Sequence, residues 1–164
     1  MNANELKSHL DNREFPVCNK SDIGYVTLPL LMLSQRLLTK IGELLDEKYN
    51  LSNSELDVMA SLRSSGDKEY KLTPTKLYEN LFFSSGGMTK ILKRLEKKGY
   101  VRRLDNKEDK RSKLVQLTSN GIEILDISLT DVIKLEEEIF AQVNTDERKN
   151  LSDLLFKALQ GVEQ

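Results

Sequence analysis

With 164 residues, 38% of them hydrophobic and 31% charged, the chain has the length of one folded domain and is not composed like a disordered segment. No apolar run approaches the roughly twenty residues of a membrane helix, and one cysteine with one histidine excludes an internal disulfide and a zinc site of the common kind. The net charge of −1 conceals an asymmetry: residues 84–113 hold eleven Lys or Arg against four acids, a surplus of +7, while the rest of the chain carries −8.

In chain order, residues 1–20 read as an extension, with a short helix over Asn4 to Glu14 that Pro16 would stop. Met1 to Leu10 lack an apolar signal core, so a cytoplasmic address is expected. Asp22 is placed to cap a long helix from Tyr25 to Lys48, apolar on more than one face, with a kink or late start at Pro29. Ser52 or Asn53 opens a second helix that buries Leu56, Met59, Ala60 and Leu62 and ends at Ser64-Ser65-Gly66-Asp67. Lys71-Leu72 reads as a very short strand. Thr73-Pro74, a capping hydroxyl before a proline, starts a third helix over Thr75 to about Phe82.

Ser84-Ser85-Gly86-Gly87 then interrupts, and a fourth helix runs from Met88 to Lys98 with Met88, Leu92 and Leu95 as its apolar stripe. Gly99 closes it. Tyr100 to Leu104 and Lys113 to Thr118 read as two strands about a polar loop, a hairpin wing. A long helix is expected from Ser119 or Asn120 to about Val143, and Asn144 with Glu147 offers a capping pair for a last one. The fold class is therefore mainly α with a small β-hairpin wing, a winged helix-turn-helix. The domain reading is an N-terminal extension (1–20), helices for dimerisation (21–48 and 119–164) and a DNA-binding region (49–118) within one compact domain. Those flanking helices carry more apolar surface than one small chain can cover, so a second copy is an expected partner.

Helix, turn, basic helix and charged hairpin form an order suited to double-stranded DNA. An α-helix fits the major groove, and its first residues reach base edges. Ser84 and Ser85 stand where hydroxyls and free N–H groups suit phosphate, and Gly86 and Gly87 allow close approach. Thr89, Lys90, Lys93, Arg94 and Lys97 follow on the helix, Thr73 and Thr75 open the preceding one, and Lys110 and Arg111 sit at the wing tip, where an arginine suits the minor groove. No nucleophile with a base partner, phosphate loop or metal-ligand spacing is present, so no enzyme activity and no cofactor are expected. His9 and the run Glu136 to Glu138 read as solvated surface.

Leu77-Tyr78, Ser84 to Lys90, Arg94-Leu95-Glu96-Lys97-Lys98-Gly99-Tyr100-Val101, Asp109-Lys110-Arg111-Ser112 and Leu117-Thr118 with Gly121 together resemble the MarR family of bacterial transcription regulators. The resemblance implies a homodimer, a palindromic operator and repression relieved by a small molecule or an oxidant. It also implies that Asp109 orients Arg111 to hold the wing's shape. Leu56 to Arg63, followed by Leu72 to Thr75, is similar to a urate-responsive subgroup, whose site uses a Trp, an aspartate where Asp57 stands, and arginines in or near the recognition helix. This chain has no Trp, and Ile91 stands where one arginine is expected, leaving Arg94. Another aromatic or anionic effector therefore fits as well as urate. A second reading makes Cys18 a redox sensor, with Lys20 the cation nearby in sequence to lower its thiol pKa. A third makes the winged helix a protein-docking module; a steep loss of DNA binding with salt separates it from a DNA reader.

Overall fold

The computed structural model describes residues 1–12, 23–81, 85–106 and 112–162. The chain divides into two compact units, Met1–Ser128 and Leu129–Gln164. In the first, helix α1 (Ala3–Asp11) is opened by a reciprocal capping box between Asn2 and Glu5 and buries Leu6 and Leu10 against Leu28 and Met32 of α2 (Gly24–Tyr49). It stops at Asp11 rather than Glu14; Pro16 and Asp22 lie outside the described residues.

The long helix does not start late at Pro29. It begins at Gly24, so the proline sits in its second turn and removes only one N–H from the ladder. Ile41 and Leu45 are buried, whereas Val26, Leu30, Leu31, Leu33 and Leu38 are exposed, as an all-round apolar helix requires unless a partner covers it.

Helix α3 (Asn53–Ser65) starts at Ser52, again through a capping box, here with Glu55. It presents Leu56, Val58, Met59 and Leu62 to the core; Ala60 is only half-buried. Strand β1 (Lys71–Leu72) follows, then α4 (Pro74–Leu81), α5 (Ser85–Lys97), β2 (Val101–Asp105) and β3 (Lys113–Leu117). The sheet order is β1-β3-β2, antiparallel throughout, with Leu72 opposite Val115 and Arg103 opposite Val115 from the other side. Leu45, Leu51, Met59, Leu62, Leu77, Met88, Leu95, Val115 and Leu125 form the sealed interior.

Two elements differ from the pattern reading for local reasons. Helix α5 opens at Ser85, so Gly86 and Gly87 belong to its first turn and do not break the chain ahead of it. Strand β2 starts at Val101, one residue late, because the Tyr100 amide is used to end α5: it donates to the Leu95 carbonyl while Gly99 donates to the Glu96 carbonyl. That ending needs Gly99 at φ 74°, in the left-handed region, and a Cβ there would meet nothing within 4 Å.

Helix α6 (Ser119–Ile139) is started by Thr118, whose hydroxyl accepts from the Gly121 amide at 3.0 Å and donates to the Gly99 carbonyl at 2.7 Å. It ends four residues before Val143. In the second unit Arg148 donates to the carbonyls of Phe140 and Val143, both at 2.7 Å, which holds residues 140–143 as a turn. The Asn144–Glu147 capping box then opens α7 (Thr145–Gln160).

Candidate nucleic-acid interface

Helix α5 sorts its residues by period. Met88, Ile91, Leu92 and Leu95 are buried, so the stripe is one residue wider than the pattern of three suggested. Thr89, Lys90, Lys93, Arg94 and Lys97 are exposed on the remaining face. Thr89, Lys93 and Lys97 recur every four residues and make one row; Lys90 and Arg94 make the neighbouring row. Ser84 lies outside the described residues. Ahead of α5, the Thr73 hydroxyl accepts from the Lys76 amide at 3.3 Å and so caps α4, while Thr75 is exposed in its first turn.

Behind α5 stands a residue that the pattern reading did not single out. Glu55 is 2% exposed. Its Oε1 accepts from Arg94 Nε at 3.1 Å, and its Oε2 from Lys98 Nζ at 3.0 Å and the Ser52 amide at 2.9 Å. Burial by itself pushes this carboxyl up, but the hydrogen bonds from Ser52, Lys98 and Arg94 outweigh it and hold the group below the usual glutamate range. The legible signal was the Ser-x-x-Glu spacing at Ser52, which marks a helix start and says nothing of the two cations forty residues on.

At the wing, Asn106 Nδ2 donates to the Ser112 hydroxyl at 2.8 Å, closing the base of the loop, and Lys113 pairs with Asp105 across the strands. That pairing, a hydrogen bond first and charge second, holds the Asp105 carboxyl below its ordinary range. Arg103 reaches back to Glu96 of α5 at 3.4 Å. Asp109, Lys110 and Arg111 lie outside the described residues.

Residues 51–113 match the MarR family. The transcriptional regulator PecS of Dickeya dadantii is 31% identical over 124 residues, spanning 76% of this chain and 72% of that protein. This chain belongs to the MarR family. SarZ of Staphylococcus haemolyticus, another transcriptional regulator, is 32% identical over 66% of this chain and 70% of its own length. A cysteine-to-serine mutant of E. coli MarR solved with operator DNA superposes with a TM-score of 0.67 at 30% identity, over 85% of this chain and 99% of that one. The protein is thus a MarR-type transcriptional regulator with the family's winged helix-turn-helix, and not an enzyme.

Within that MarR frame the other candidate residues separate. Asp57 is exposed on α3, and desolvation by the surrounding chain pushes its carboxyl above the usual aspartate range. Two residues along a helix turn the side chain by about 200°, so Asp57 leaves α3 on a different side from Glu55, the residue that holds Arg94. Arg94 makes its ion pair with Glu55, at 3.1 Å. Ile91 is buried in the core. Cys18 lies outside the described residues. Among the described residues no cluster of His, Cys, Asp or Glu is arranged for a metal, and no helix is long and apolar enough to cross a membrane.

Proposed function

We propose that this MarR-type regulator is a repressor that binds a palindromic DNA operator as a homodimer. Helix α5 enters the major groove with Thr89, Lys90, Lys93 and Lys97, while the Ser84 to Gly87 segment, Thr73 and Thr75 meet the phosphates beside it. Lys110 and Arg111 of the wing, Arg111 oriented by Asp109, reach the neighbouring minor groove. The observation that carries this reading is the cationic row on α5 opposite a fully buried apolar stripe. The E. coli MarR complex with operator DNA supports it as a relative of the same fold.

The homodimer is supported by the uncovered apolar residues of α2, among them Leu30, Leu31 and Leu38, and of α7, where Leu154, Phe156 and Leu159 are more than half exposed. An aromatic or anionic effector, with Asp57 as a ligand contact, relieves repression in the cytoplasm. Selection of duplexes from a random-sequence pool tests the reading. An enriched inverted repeat, bound with an affinity that falls log-linearly with salt, is expected; a pool that stays unenriched overturns it. Light scattering is expected to give twice the 18.8 kDa chain mass.

A further inference from the structure

Four buried apolar residues fix which face of α5 meets the core, and within that constraint small rotations remain open to side-chain repacking. Directional bonds are what fix a rotation. Arg94 in the last turn of α5 and Lys98, the residue that follows the helix, both converge on Glu55 at the first turn of α3. Lys98 also donates to the Asn50 carbonyl, just ahead of α3. The Glu55 carboxylate is itself immobilised, since the Ser52 amide and hydroxyl both donate to its Oε2.

We propose that Glu55 is a positioning residue for operator recognition: acting through Arg94 and Lys98, it sets the rotation of α5 and hence where Thr89, Lys90 and Lys93 meet base edges, without touching DNA itself. The inference rests on the DNA-reading role proposed above. It separates two kinds of affinity. Contacts to base edges depend on the angle of the helix, whereas attraction to phosphates depends chiefly on charge. Removing the Glu55 charge adds one net positive charge behind α5, so binding to arbitrary duplex holds or tightens while binding to the operator weakens.

The test uses the full chain, a duplex that the wild-type protein enriches from a random pool, and a scrambled duplex of equal length. The variants are Glu55→Gln, which keeps a capping side chain of the same reach, Arg94→Gln, and the two combined. Glu55→Gln is expected to lower operator affinity about tenfold, the loss of roughly one well-placed base contact, with scrambled-duplex affinity unchanged or higher. The double variant is expected to be no weaker than the weaker single variant, because both act through one contact. An operator-to-scrambled ratio that Glu55→Gln leaves at its wild-type value overturns the proposal. So do additive losses combined with a salt slope that Arg94→Gln reduces by about one, which would place Arg94 directly on a phosphate. Should Glu55→Gln fail to fold, an Arg94→Gln protein that folds and keeps the wild-type ratio overturns it as well. A wild-type protein that enriches no sequence sinks the DNA-reading role together with this one; an enriched site with an unmoved ratio sinks this one alone.

Discussion

Arg102 donates through Nε to the amide oxygen of Gln116 at 2.8 Å, and the same two residues face each other across β2 and β3. Gln116 is 8% exposed and passes its own Nε2–H to the Glu69 carbonyl at 2.9 Å, so one side-chain amide joins the wing to the turn that follows α3. Gln116→Leu fills similar space but removes both bonds, while Arg102 and Glu69 stay exposed to water. It is expected to cost about 0.5–1.5 kcal/mol of stability, the net worth of such a bond. The denaturant midpoint in urea measures this; an unshifted midpoint shows that water replaces the amide without loss.

Gly121 is a second point where backbone meets backbone. A Cβ placed there would lie 2.1 Å from the Tyr100 carbonyl oxygen and 2.9 Å from its carbon, neither of which can swing aside like a side chain. Gly121→Ala is therefore expected to destabilise by about 1–3 kcal/mol or more, although alanine is the better helix former. Thermal unfolding decides between these opposed effects, and a raised melting temperature contradicts the steric reading.

Acid should dissect the two unusual carboxyls of α3 in opposite senses. The folded Glu55 carboxyl is lowered from an ordinary value of 4.5. Its bonds thus contribute fully above that value and are lost as pH falls through the lowered one. Glu55→Gln is expected to cost about 1.5–3 kcal/mol at neutral pH and progressively less in acid. Asp57 is raised from 3.8 by desolvation. The fold is least burdened by it below that value and loses stability as pH rises through the raised one, so Asp57→Asn should stabilise slightly at neutral pH and not in acid. Unfolding free energies across pH, taken for both variants, give the two signs directly.

On DNA, Lys93→Ala, which removes a base-edge contact together with a charge, is expected to weaken operator binding more than scrambled-duplex binding and to lower the salt slope by about one. Arg111→Ala is expected to remove most operator affinity with the fold intact. Mobility-shift titrations over a range of salt measure both, and an Arg111→Ala protein that binds as tightly as wild type removes the wing from the interface.

Much of this was legible in the sequence because it is written locally. Thr73-Pro74, Asn144 with Glu147, and Gly99 each act within a few residues, and each lies where local chemistry puts it. The apolar period likewise marked the inner face of α5. Two of the misses are local but leave no mark on the residue period, and the third is tertiary. The end of α6 depends on Arg148 reaching back to Phe140 and Val143. The start of α2 ahead of Pro29 depends on a second turn that tolerates one absent donor. Glu55 shows its cap in its spacing, but its bonds to Arg94 and Lys98 span 39 and 43 residues, and no pattern of residue types records them.

Gly99 poses a question of handedness alone. Its backbone requires a conformation that L-residues resist, yet the space where a side chain would stand is open. L-alanine there should cost about 1 kcal/mol or more, and its mirror image should cost nothing. A semisynthetic protein carrying D-alanine at this position should be more stable than the natural one by about 0.4–1 kcal/mol, because the unfolded chain alone loses freedom.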